Sequence, residues 1–175
     1  LNTGRNPNRM RKLRSIAKIL LEAGANPRQK IEGLPRILKS KTGIQNNSLL
    51  LSTVCQRDKA LVELLLDYDA GNAIYDGGRA AAKNSPLKEI DVALAVAVLD
   101  NQVDMAKMLL SRGANIHNTH HLFNMPLLLH VASQNKVPEH AAIPTLKFLL
   151  HECGIDPRIQ GPKGETLDET YKKVF

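Results

Sequence analysis

Aromatic side chains are scarce in this 175-residue chain, which has no Trp, three Tyr and three Phe. Its interior must therefore be filled by Leu, Ala, Ile and Val, a composition that favours closely packed helices. Cysteine is nearly absent too. Cys55 and Cys153 stand in separate apolar stretches rather than at paired short spacing, as reduced structural thiols of a cytoplasmic protein would. No apolar run approaches the length needed to cross a bilayer, and LNTGRNPNRMRK at the amino end lacks the apolar segment of a secretory signal. No transmembrane segment is expected. Phosphate-cradling loops are missing: no GxGxxG occurs, and Gly161, Pro162, Lys163 and Gly164 do not have the GxxxxGK[ST] spacing. The chain begins with Leu rather than Met and is expected to be a fragment of a longer protein.

Acidic residues are sparse at one end only. Residues 1–45 hold eleven Lys and Arg against Glu22 and Glu32, while residues 46–175 hold thirteen against fifteen acids, so the net charge of +7 is an amino-terminal property. Arg5, Arg9, Arg11, Lys12 and Arg14 form its basic patch. Such a patch suits an acidic protein surface, an anionic membrane, nucleic acid, or simply a solvated helix face. Aromatics for base stacking are missing there, and no nucleic-acid module is recognisable, so nucleic acid and lipid rank below protein.

What the chain does have is a recurring phrase. LLEAGANP at Leu20–Pro27, LLLDYDAGN at Leu64–Asn72, LLSRGANI at Leu109–Ile116 and LLHECGIDP at Leu149–Pro157 each end an apolar run on Gly or its stand-in. A glycine there closes a helix in the left-handed conformation. In the second copy Asp69 sits where Gly24 and Gly113 sit. These stops are 45, 44 and 41 residues apart, a period that marks a repeat of stacked helix pairs and by itself would suit armadillo or HEAT units as well.

Met10, Leu13, Ile16, Ala17, Leu20 and Leu21 share one face of a predicted helix, read as the second half of a unit. Val92 to Val98 alternates Ala with larger apolar residues, a strand-like period, but the equivalent segments at Leu49 and Leu127 do not alternate. A helix is therefore expected there. Thr166 with Glu169 forms a capping box ahead of a closing half-unit. The expected units are about 8–25, 48–70, 92–114 and 127–154, with a partial unit at 164–175 and insertions at 26–47, 71–91 and 137–144.

These residues resemble the ankyrin repeat, whose unit runs TPLHxAxxxG, a second helix, then LLxxGADxN. LLLHVASQN at Leu127–Asn135 and VALAVAVLDN at Val92–Asn101 are similar to its first half. LLSRGANI and LLEAGANP are similar to its second. The resemblance implies an all-α solenoid of helix-turn-helix units with projecting loops, a monomer that presents a concave groove to a protein partner. Carried over position by position, it implies contacts from Gln56, Arg57, Asp100, Asn101, Gln134 and Asn135 at the ends of first helices. Projecting connections would add Tyr75, Arg79, His117, His120, His121 and Phe123. Long units with insertions also resemble ankyrin proteins that intracellular bacteria deliver into host cells, which implies an effector acting in a host cytoplasm.

Other chemistries have less behind them. His117, His120 and His121 lie within five residues, yet their spacing fits no common zinc site and no Cys or carboxylate pair adjoins them, so no metal is assigned. His130 occupies the TPLH histidine position, where the resemblance implies a structural hydrogen bond. His140 and His151 have no identifiable partner. A cysteine-based enzyme, with Cys55 and a nearby histidine among the insertions, is the alternative function. No signature surrounds either cysteine, and neither catalytic residues nor a cofactor is assigned.

Overall fold

The computed structural model describes residues 7–30, 48–75, 87–119, 122, 125–133 and 139–172. In chain order its α-helices are α1 (Pro7–Glu22), α2 (Leu49–Cys55), α3 (Lys59–Asp67), α4 (Glu89–Leu99), α5 (Val103–Ser111), α6 (Leu127–Ala132), α7 (Glu139–Lys147) and α8 (Leu167–Lys172). Short 3-10 turns at Ala70–Asn72 and Ile116–Thr119 follow α3 and α5. The chain is all-α, with α2–α3, α4–α5 and α6–α7 as successive helix pairs, α1 against α3 and α8 against α6. Among the described residues, extended pairing is confined to isolated antiparallel bridges, Lys30 with Ser48 and Ile74 with Lys88.

Local chemistry fixes the helix ends. Ser48 Oγ accepts the Leu51 N–H at 3.2 Å and Asp58 Oδ1 accepts the Leu61 N–H at 3.2 Å, so α2 and α3 begin on capped turns. The capping box expected at Thr166 is present: its hydroxyl accepts the Glu169 N–H, and its own N–H donates to Glu169 Oε2 at 3.1 Å. At the other ends, Gly24 and Gly113 have φ of +92° and +91°. The Gly24 N–H reaches Leu21 O and the Ala25 N–H reaches Leu20 O, a pattern that Gly113 and Ala114 repeat on Leu110 and Leu109. Asp69 takes the same left-handed place with φ of +66°. It does so without glycine's freedom, and Arg28 holds both its carbonyl and its carboxylate.

Within the pairs the turn is the same motif again. Arg57 and Asn101 are left-handed, with φ of +59° and +54°, and the amides that follow them, of Asp58 and Gln102, close back on Thr53 and Ala97. The α2–α3 and α4–α5 pairs are thus each bent by a short turn in which one non-glycine residue accepts a conformation that L side chains disfavour.

The core runs along the first helices. In α4 every residue from Glu89 to Leu99 is buried, which is why its sequence has no polar face: neighbours cover it all round, chiefly α2 and α5. Ala93, Ala95 and Ala97 are fully buried and let those neighbours approach, so the strand-like alternation resolves as a helix. Leu50, Leu51, Leu65, Leu94, Leu109, Leu128 and Leu149 complete the interior. Truncating one of them to Ala would cost about 2–5 kcal/mol.

Pro144 lies inside α7, so residues 139–144 of the expected insertion are the first turns of that helix. The helix then widens into a π-turn at Phe148–Glu152, where the Cys153 N–H donates to Phe148 O at 3.0 Å.

Polar side chains tie each unit to the next. Arg14 pairs with Asp58 at 2.6 Å, Arg57 Nη2 donates to Asp100 O at 2.8 Å, Thr145 Oγ1 donates to Asn101 Oδ1 at 2.7 Å, and Gln102 Nε2 donates to Val54 O at 3.0 Å. A second row joins Arg112 to Asp67 at 2.6 Å and Lys107 to Glu152 at 2.7 Å, with the Lys107 ammonium 5.9 Å from the centre of the Phe148 ring. Each of these links spans about one period of the chain.

Candidate partner-binding surface

Two connections are pinned where they leave the stack. The Tyr75 N–H donates to Leu87 O and the Glu89 N–H to Ala73 O, each at 2.8 Å, which fixes residues 73–75 antiparallel to 87–89. The Lys30–Ser48 bridge does the same at the base of the preceding connection. Beside the first base Ile74 is exposed, at 51 %, next to the exposed Lys88. A large aliphatic held open to solvent on paired backbone is a natural anchor for a contact.

The next edge is built from α4. Asp91, buried in its first turn, accepts the Asn115 N–H at 2.7 Å and the Asn118 Nδ2 at 2.8 Å, one to each carboxylate oxygen. Asn115 in turn accepts the His117 N–H at 2.9 Å. Asn115, His117 and Asn118 consequently stand exposed on a turn that a buried carboxylate immobilises. The sequence reading missed Asp91. Its signal was an acid set directly before an unbroken apolar run, a place where a buried carboxylate needs donors.

The residues expected to contact a partner fall into several groups. Gln56 and Asp100 are half-buried C-caps of α2 and α4. Arg57 and Asn101 form the turns and are spent on the links to Asp100 and Thr145, so part of their hydrogen-bonding capacity is already used inside the stack. Tyr75 does not project. It is buried at 4 % within the core cluster, because the backbone pairing to Leu87 turns it inward, and it is scaffold rather than contact. His117 is exposed. The C-cap of α6 is Ser133, the place that Gln56 and Asp100 hold in the earlier pairs. Arg79, His120, His121, Phe123, Gln134 and Asn135 lie outside the described residues.

Of the basic patch, Arg9, Arg11 and Lys12 are exposed on α1, Arg14 is taken up by Asp58, and Arg5 lies outside the described residues. Burial pushes His130 below its ordinary value and so favours neutral imidazole. Burial, with the Glu152 charge adding to it, pushes the Cys153 thiol up, the opposite of what a nucleophile needs. Among the described residues no cluster of His, Cys, Asp and Glu is arranged to hold a metal ion, and no helix is long and apolar enough to cross a membrane.

Comparison with curated proteins finds no match for this sequence. Comparison with known families matches residues 91–121 to the ankyrin repeat. The matched span holds most of α4, all of α5, the Gly113 stop and the turn clamped by Asp91. The same helix, left-handed turn, helix and left-handed stop recur in the α2–α3 pair. Residues 91–121 are thus an ankyrin repeat, and the α2–α3 pair beside them repeats its backbone geometry.

Proposed function

We propose that this protein binds a protein partner along the edge formed by its pinned connections and inter-helix turns. Ankyrin repeats generally serve protein interaction, which supports the class of function. The carrying observation is the paired base at Ile74 and Lys88, which holds an exposed aliphatic beside a cation on immobilised backbone. A groove read along the first helices alone fits poorly, since α4 exposes no side chain. Contact instead falls to Ile74, Lys88, Asn115, His117 and Asn118, with the half-buried turn residues Gln56 and Asp100 at the margin.

The chemistry follows from that arrangement. Rigid helices and a buried carboxylate fix these side chains before the partner arrives, so docking loses little conformational entropy. Ile74 supplies area to bury, while Lys88 and the two asparagines supply direction. Replacing Ile74 by Glu and His117 by Ala in one variant is expected to weaken capture of the partner by roughly tenfold or more, with unchanged circular dichroism and melting. The check is a quantitative pull-down comparing the proteins retained by wild type and variant. Equal retention by the folded variant would remove this edge from consideration.

A further inference from the structure

Where the α2–α3 pair meets the α4–α5 pair, inside the stack and away from both ends of the chain, the surface opens into a cavity of about 240 Å³. Its floor is apolar, made by half-buried Leu66, buried Ile90 and Gly71, whose lack of a side chain keeps the space clear. Its rim carries Asp69, Lys88 and Arg112. Asp69 is already neutralised, since Arg28 pairs with its carboxylate and Asn72 Nδ2 donates to it. Arg112 spends Nη1 on Asp67 Oδ1 at 2.6 Å, which leaves Nε and Nη2 of its fork without a bond to the described residues. The exposed Lys88 ammonium has no ion pair or hydrogen bond among the described residues either. With Arg28 set against Asp69 and Arg112 against Asp67, the positive charge of Lys88 is left unbalanced. The carbonyls ending α3 and α5, which would favour a cation, are spent in the helix stops: Leu66 O accepts the Asp69 N–H, and Leu109 O and Leu110 O accept those of Ala114 and Gly113.

Charge therefore selects an acid, and size narrows it further. Sites for small-molecule ligands run to about 300–1,000 Å³, so this smaller cavity suits one side chain better than a nucleotide or cofactor. Its place on the edge adds a second demand. Ile74 and Lys88 stand directly opposite each other, flanked by the Tyr75–Leu87 and Glu89–Ala73 hydrogen bonds, the non-hydrogen-bonded kind of antiparallel pair whose side chains share a face and lie closest. An acid bound at Lys88 thus brings its neighbours over Ile74. The chain's own connections are poor occupants. Residues 31–47 carry Arg36, Lys39 and Lys41 against Glu32, and residues 76–86 carry Arg79 and Lys83 against Asp76, so each is net positive and ill suited to neutralise Lys88.

Resting on the reading of this edge as a protein contact, we propose that the cavity receives an acidic side chain of the partner protein, its carboxylate held by Lys88 and Arg112 while an adjacent apolar side chain covers Ile74. The probes are the end-blocked tripeptides Leu-Ala-Glu and Leu-Ala-Gln, with glutarate as a free carboxylate, titrated into isotope-labelled protein and followed by amide NMR. Leu-Ala-Glu should shift the Gly71, Asn72 and Gly113 amides and bind roughly threefold or more tightly than either other probe. Lys88→Gln, at an exposed position whose backbone pairing the change keeps, should abolish that preference. No shift, no preference for the acidic peptide, equal affinity for glutarate, or an unchanged preference in Lys88→Gln overturns the proposal. Asp76→Asn/Glu32→Gln should leave peptide affinity as it is; a clear gain would mean that the chain's own acid fills the cavity, and would overturn the proposal too. In pull-downs Lys88→Glu should retain less partner, by roughly threefold or more. Retention lost in Ile74→Glu/His117→Ala but kept in Lys88→Glu would leave the edge standing and remove the acidic anchor, whereas retention kept in both variants would remove the edge and this inference with it.

Discussion

Single residues show most directly how sequence becomes geometry here. The left-handed stops at Gly24 and Gly113, and even the Asp69 substitute, were legible because backbone conformation at a helix end is a local demand. Arg57 and Asn101 obey the same demand, yet their links to the next unit were not legible, since a side chain's partner about one period away is set by stacking. Tyr75 failed for the same reason: composition marks a loop aromatic, and only the pairing with Leu87 turns it inward. Gly71 offers a test at this scale. Added methyl carbon there would lie 2.9 Å from Leu66 Cδ2 and 3.1 Å from Ile90 Cβ, and the second neighbour is a branched carbon on a fully packed helix. Gly71→Ala is expected to lower stability by about 1–3 kcal/mol in urea unfolding. No loss of stability would mean that α4 shifts to make room.

At the scale of the element, α4 and α7 carry opposite lessons. The alternation of α4 was misleading in isolation, and context corrected it, because a helix buried on all sides needs no amphipathic period. For α7 the reverse holds: prolines look like a break, but the helix includes Pro144 and widens at Phe148–Glu152 afterwards, a rearrangement with no local marker. Helix α6 carries His130, whose half-buried ring is held below its ordinary value near 6.5 by desolvation. Its folded form resists protonation while the unfolded form does not. The stabilising contribution is therefore complete above the ordinary value and is lost as pH falls below it toward the depressed folded value. Denaturation midpoints should drop between pH 7 and 5, and His130→Gln should flatten that part of the curve. Parallel curves for the two proteins would assign the acid sensitivity to the carboxylates instead.

Across the whole molecule, the side-chain ties described between units join neighbours, as Arg14–Asp58, Asn101–Thr145 and Lys107–Glu152 illustrate. Stability should therefore be distributed along the stack rather than shared at once. Leu21 is the buried residue of α1, whereas α4 is buried throughout. Amide hydrogen exchange is expected to be slowest in α4 and α5 and faster by orders of magnitude in α1. Uniform protection from α1 to α8 would instead indicate one cooperative block. The repeat architecture was legible at this scale because it recurs, while the proposed contact edge at Ile74 and Lys88 was not, because it depends on a backbone bridge that no local pattern marks.

Those bridges, Lys30 with Ser48 and Ile74 with Lys88, have an engineering meaning. Each closes its connection at the scaffold, and because the entropic cost of closing a loop grows only slowly with its length, the stack need hardly register what is inserted. The two bases act as sockets: sequences grafted between them could diversify, by evolution or in a library, while the helices that hold them stay unchanged.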